Sequence, residues 1–219
     1  MRICIQMLYT KGWVDIAKIT TPNIVNYCRK HDYSWNIQCI GEPYDAFEKI
    51  RQIQGIFERN EADVVMSMDC DALITNYTIR IEDFIEGDER NFFFVCRDYN
   101  GINTGTFLIT KYGGQTKFLN YLLSLKDKNI IMGGKSFICS CEQDALNIVM
   151  YMYNGLPYSK VKVLSHPSIN SYMYELYPEI PPQTHEQGQW QEGDFILHLP
   201  GIGMGQRKQI LSNTKVIYE

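Results

Sequence analysis

From Arg2 to Asp71 the chain alternates between strand-like and helix-like hydrophobic patterns, and this alternation leaves few folds open. Arg2 to Leu8 reads as a strand. A helix is predicted next, with Thr21 as N-cap and Pro22 at its first position, a favoured helix start. Its apolar face is Ile24, Tyr27 and Cys28. Ser34 to Ile40 reads as a second strand, ended by Gly41. Tyr44 to Asn60 reads as a second helix, with Phe47, Ile50, Ile53 and Phe57 on one stripe. Val64 to Met68 is short, apolar and β-branched at its start, the pattern of a buried strand. A strand–helix–strand–helix–strand order implies a largely parallel sheet with right-handed crossovers.

The third strand ends in Asp69-Cys70-Asp71. Residues two apart in extended chain point to the same side, so both carboxylates can face one divalent cation. Hard oxygen ligands suit Mg²⁺ or Mn²⁺, ions that commonly also hold substrate phosphates. The carboxyl ends of strands are where open α/β sheets bind ligands. A metal–diphosphate site is therefore expected here.

The 219 residues suffice for one domain with a real core. A net charge of −4 argues against a nucleic-acid partner, which calls for a basic face. The seven cysteines are scattered and odd in number, and Cys139-Ser140-Cys141 is a lone pair rather than a zinc pattern. This usage fits a reducing cytoplasm. The first residues lack the features of a signal peptide, and no stretch approaches the length of a membrane span.

Beyond Asp71 a short amphipathic piece is expected near Ile79 to Ile85, then strands at Asn91 to Cys96 and Thr106 to Thr110 around the turn Asp98-Tyr99-Asn100-Gly101. A helix is expected over Gln115 to Leu125, and Gly133-Gly134 marks a loop. Another helix is expected from near Ser140 to Tyr153, Ser140 and Gln143 having capping-box spacing. Pro178 to Gly193 reads as a long loop containing Trp190, which either stacks on a sugar or packs on the fold. A last strand, Asp194 to Leu197, leads to His198, and Thr214 to Tyr218 is strand-like. One domain over 1–219 is expected, its nucleotide-binding half about 1–75 and its donor-sugar and acceptor half about 76–219.

Five segments, taken together, resemble a known group. They are Phe47-Glu48-Lys49; Met68 to Thr75 with its Asp-x-Asp; Asn103-Thr104-Gly105; Glu142-Gln143-Asp144; and Gly193 to Gly201 with His198. Their order resembles the GT-A class of nucleotide-sugar glycosyltransferases, and most of all family 34, the galactosyl-, xylosyl- and mannosyltransferases. The small size is also similar to glycosyltransferases that large algal viruses encode for capsid glycans, which would place the enzyme in the host cytoplasm. The implied fold is α/β of GT-A type: a single Rossmann-like domain whose mostly parallel central sheet is flanked by helices.

The resemblance implies roles. Asp69, Asp71 and His198 would hold the metal, and the imidazole favours Mn²⁺ over Mg²⁺. Asp69 and Lys49 would also contact the nucleotide, and Gly201 would let backbone approach the diphosphate. Family members usually carry a lysine shortly after that glycine. This chain has Ile202-Gly203-Met204-Gly205 instead, so Arg207 or Lys208 is expected to reach back to the diphosphate. Asn103 would face the donor sugar, and Glu142, Gln143 and Asp144 would flank the transferring sugar. Met7, Tyr9 and Thr10, at the end of the first strand, would hold base and ribose. The implied reaction moves a hexose from a UDP-sugar, or a GDP-sugar, to a hydroxyl of a glycan or glycoprotein acceptor, with retention in family 34. The competing readings are a nucleotidyltransferase, disfavoured by the sparse loop after the first strand, and a metal-dependent sugar-binding module without transfer.

Overall fold

A computed structural model describes residues 1–88, 91–98, 101–111, 114–152, 160–179 and 189–219. Its centre is a six-stranded sheet of β1 (Ile3–Tyr9), β2 (Ser34–Cys39), β3 (Val64–Met68), β5 (Phe93–Asp98), β6 (Gly101–Thr110) and β9 (Val161–Leu164). The strand order is β2-β1-β3-β6-β5-β9. Pairings β1–β2, β1–β3 and β5–β9 are parallel, whereas β6 runs antiparallel to both its neighbours. The sheet is thus mostly parallel with one reversed strand.

Helices cover both faces, and alternate residues of the strands point into two separate cores. Ile3, Ile5 and Met7 of β1 and Val64, Met66 and Met68 of β3 pack toward α1 (Val14–His31). Cys4, Val65, Phe107 and Ile109 pack on the other side, against α2 (Glu48–Glu58), α3 (Gln115–Ser124) and α4 (Glu142–Met152). A hairpin of β7 (Asn129–Met132) and β8 (Lys135–Ile138) turns at Gly133-Gly134, as expected.

Three sequence expectations need correction. The first helix begins at Val14, well before Thr21, and Pro22 lies inside it. The stripe Ile16, Ala17, Thr20, Asn23, Ile24, Tyr27, Cys28 is buried on both sides of the proline, which faces solvent. Proline there removes one backbone bond but does not interrupt that stripe. Second, the sixth strand starts at Gly101 rather than Thr106. Third, a helix α5 (Met204–Asn213) runs through a stretch for which no helix was expected. Only Arg207 and Leu211 of α5 are buried, so it shows almost no apolar periodicity. The end of the expected helix at Tyr153, the turn residues Tyr99 and Asn100 and most of the expected long loop lie outside the described residues.

Two local features place the site. The register of β5 against β6 shifts between Val95 and Cys96, which pair with Phe107 and Asn103, leaving Thr104, Gly105 and Thr106 without partners on β5. Such bulges re-aim a strand. Here the Gly105 carbonyl accepts the Asp69 N–H at 2.7 Å. A small antiparallel pair, β4 (Ala72–Ile74) with β10 (Ile196–His198), then sets His198 opposite Ala72. The Leu199 N–H donates to the Asp71 carbonyl at 3.2 Å. Residues remote in sequence are fixed side by side by backbone alone.

Candidate active site

Beyond the end of β3, Asp69, Asp71 and His198 each offer a ligand atom, and these atoms all lie within 4.8 Å of one another. His198 is buried, and its Nε2 lies 3.5 Å from Asp71 Oδ1 and 3.9 Å from Asp69 Oδ2. That nitrogen has no hydrogen-bond partner among the described residues. Its other ring nitrogen, Nδ1, lies 2.9 Å from Asn170 Oδ1. Gly105 makes room for the ring, since a Cβ there would fall 2.1 Å from His198 Cε1. Two carboxylates and an orphaned buried nitrogen facing one point fit a divalent cation. The mixed oxygen and nitrogen donor set suits Mn²⁺ well.

Two buried cations brace the acids. Arg207 Nε lies 3.0 Å from Asp71 Oδ2 and donates to the Leu199 carbonyl, while its guanidinium lies 4.6 Å from the Trp13 ring centre. Burial disfavours a charged Asp71. The neighbouring His198 ring and the Arg207 guanidinium outweigh it and hold that carboxyl below the ordinary carboxylate range. Lys49 Nζ bridges Asp69 Oδ1 at 2.5 Å and Glu142 Oε1 at 2.8 Å. Burial opposes its charge, but the two acids raise the Lys49 pKa well above the usual lysine value. Asp69 is pushed up by desolvation, against the pull of Lys49.

Two adjoining clefts share Asp69, His198, Pro200 and Gly201. The larger, about 680 Å³, is walled by Tyr9, Thr10, Trp13, Tyr44 and Arg207 among others. The smaller, about 310 Å³, is lined by Asp98, Asn103, Gln143, Tyr172, Tyr177 and Glu179. Gly201 sits at their junction with φ of +73°, a conformation that favours glycine.

The structure brings together most of the residues singled out from sequence, but not all in the expected way. Met7 is fully buried in the core, because its position on β1 points into the α1 face. Lys208 reaches toward Asp15 of α1 at 3.7 Å and lines neither cleft, whereas Arg207 lines the larger one. Glu142 is buried against Lys49 and accepts the Thr104 hydroxyl at 3.1 Å. Asp144, rather than Gln143, reaches back to Ser140, accepting its N–H at 3.0 Å and its hydroxyl at 2.8 Å. Gln143 alone of the three lies on a cleft wall, its Oε1 accepting the Thr104 N–H at 3.1 Å. Asn103 lies on that wall with its amide engaged by Asp98, Gly105 and Asn170. Trp190 packs on the fold, its indole N–H directed to Thr75 Oγ1 at 3.3 Å. Asn170 carried no signal in the sequence, since an isolated asparagine in a loop has no recognisable pattern.

This fold with this site defines a glycosyltransferase of GT-A type. The chain belongs to the galactosyl transferase GMA12/MNN10 family, whose profile matches residues 84–209, a span that includes Asn103, Glu142 and His198 but not the two aspartates. A glycosyltransferase involved in glycosylation of the major capsid of PBCV-1 is similar in fold, with a TM-score of 0.71 at 18% identity over 97% of this chain and 99% of that one. The galactosyltransferase LgtC, solved with donor and acceptor sugar analogues, superposes with a TM-score of 0.52 at 12% identity, covering 99% and 98%. Mouse xyloside xylosyltransferase 1 gives 0.57 at 12% identity, covering 92% and 98%. Comparison with curated protein sequences gives no match.

Proposed function

We propose that the chain transfers a hexose from a UDP-sugar to a hydroxyl of a glycan or glycoprotein acceptor, with Mn²⁺, or Mg²⁺ in its place, held by Asp69, Asp71 and His198. The observation that carries this reading is the unpartnered, buried His198 Nε2 facing both carboxylates at the junction of two clefts. A bound cation there would neutralise the diphosphate and stabilise the leaving nucleotide. The larger cleft, at the carboxyl end of β1, would take base, ribose and diphosphate, with Tyr9 and Thr10 on its wall. Arg207 would serve the diphosphate through the guanidinium edge that Asp71 leaves over, standing where the family lysine is missing. Lys49 would act beneath the site as the counter-charge of Asp69 and Glu142.

The smaller cleft would take the transferred sugar, with Gln143 and Asn103 on its wall. Inversion needs a free carboxylate base at the acceptor hydroxyl. Glu142 and Asp144 are both tied down by partners, which supports retention. Asp98 on that wall accepts from Asn103 and Tyr172, which leaves Glu179, so Glu179→Gln probes the inverting alternative. Among the described residues no helix is long and apolar enough to cross a membrane. The scattered cysteine usage supports a cytoplasmic enzyme, in an infected host if the gene is viral.

The test is a panel of UDP- and GDP-sugars with Mn²⁺, Mg²⁺ or EDTA, read by nucleotide release and by the anomeric configuration of any product. Metal-dependent release from a UDP-hexose with a retained anomer is expected. Metal-independent turnover, or none with any donor, contradicts the reading.

A further inference from the structure

A chain of hydrogen bonds runs from the half-buried Asp98 to the buried His198, and its direction is fixed by chemistry at the Asp98 end. An ionised carboxylate only accepts. Asp98 Oδ2 lies 2.8 Å from the Asn103 amide nitrogen and 3.0 Å from the Tyr172 hydroxyl. Asn103 Oδ1 must then face the other way, and a backbone donor confirms it: the Gly105 N–H lies 2.8 Å from that oxygen. Asn170 Nδ2 lies 3.0 Å from the same oxygen and 3.4 Å from the Tyr172 hydroxyl. Turning the Asn170 amide over would set two carbonyl oxygens against each other. Its Oδ1 therefore faces His198 Nδ1 at 2.9 Å.

We infer that Asn170 is a positioning residue that keeps the His198 proton on Nδ1, so that Nε2 presents a lone pair to the cation site. The inference rests on the proposed metal role of His198 and adds to it the residue that prepares the ligand. Left to itself, a neutral imidazole beside two carboxylates would place its proton on Nε2, toward the negative charge. The chain from Asp98 opposes that preference. Asn170 is fully buried, so no solvent molecule takes over its role at the surface. Its place is set by backbone: the Ser171 N–H donates to the Ile196 carbonyl and the His198 N–H to the Ser171 carbonyl, pinning the Asn170 loop to β10. Partners on the outer nitrogen of a metal-binding histidine commonly change metal affinity by 10–100-fold.

The test is two-bond ¹H–¹⁵N correlation of the histidine rings in the metal-free protein, well above the ordinary imidazole pKa of about 6.5. A His198→Gln variant identifies the His198 signals. The expected wild-type result is the Nδ1–H tautomer; a dominant Nε2–H tautomer overturns the inference without any variant. Asn170→Ala is expected to move the proton to Nε2 and to weaken Mn²⁺ binding, measured with UDP present, by roughly 10–100-fold. Retention of the Nδ1–H form in Asn170→Ala also overturns it. An otherwise unchanged backbone ¹H–¹⁵N spectrum of Asn170→Ala away from β10 separates this role from general loss of structure. An Nδ1–H tautomer in a wild type that binds no Mn²⁺ supports the relay and overturns the metal reading instead.

Discussion

Gly105 has no side chain, and the His198 ring occupies the space that one would fill. A Cβ at Gly105 would also fall 2.9 Å from Asn103 Oδ1, so neither side of the site can yield independently. Gly105→Ala is expected to cost about 1–3 kcal/mol, as overpacking does, and to abolish Mn²⁺-dependent UDP binding. Urea unfolding and a thermal shift with UDP and Mn²⁺ read the two effects separately. Lys49 makes a complementary case. Removing the buried lysine leaves Glu142 without its counter-charge, so Lys49→Met is expected to lose about 3–5 kcal/mol by urea unfolding. The aspartates were legible as candidate metal ligands because paired carboxylates at a strand end are few in kind, and His198 became legible through the family resemblance. The tasks of Lys49, Arg207 and Asn170 were not, because each depends on a partner far away in sequence. Even Glu142 was read as facing sugar, when its nearest group is an ammonium.

At the scale of elements, the strand–helix alternation was readable up to Asp71 because each segment carries a strong period. The start of α1 was misplaced because Pro22 is a good start signal, and only the tertiary burial of Ile16, Ala17 and Thr20 overrides it. The proline still leaves the Lys18 carbonyl without its helical donor. Pro22→Ala is therefore expected to stabilise the protein, by up to about 3 kcal/mol, measured as a raised urea midpoint. Helix α5 escaped notice because two glycines open it and little of it is buried. The segment before β5 is tied to β9 through Asp88, which accepts from Asn91 and lies 3.1 Å from Lys162 Nζ. The Asn91 bonds and then Lys162 pull its carboxyl down to about 2. A lowered folded pKa stabilises above the unfolded value and loses that contribution as pH falls through the folded one. Stability is thus expected to drop between about pH 4 and pH 2, and less steeply in Asp88→Asn, by urea midpoints across that range.

For the whole molecule, one sheet draws strands from both halves of the chain, and β6 brings the second half against the end of the first that carries Asp69 and Asp71. The bulge in β6 and the β4–β10 pair then gather the acids, the histidine and the two clefts in one place. The proposed division of labour, nucleotide on the β1–β3 side and sugar on the β6 side, follows from where those clefts lie. The most direct test of the metal-bound donor site is calorimetric titration of UDP into wild type and Asp71→Asn, each with Mn²⁺ or EDTA. The account predicts binding to the wild type that needs Mn²⁺ and is lost in Asp71→Asn. Equal UDP affinity with Mn²⁺ and EDTA, or undiminished Mn²⁺-dependent binding in the variant, would contradict it.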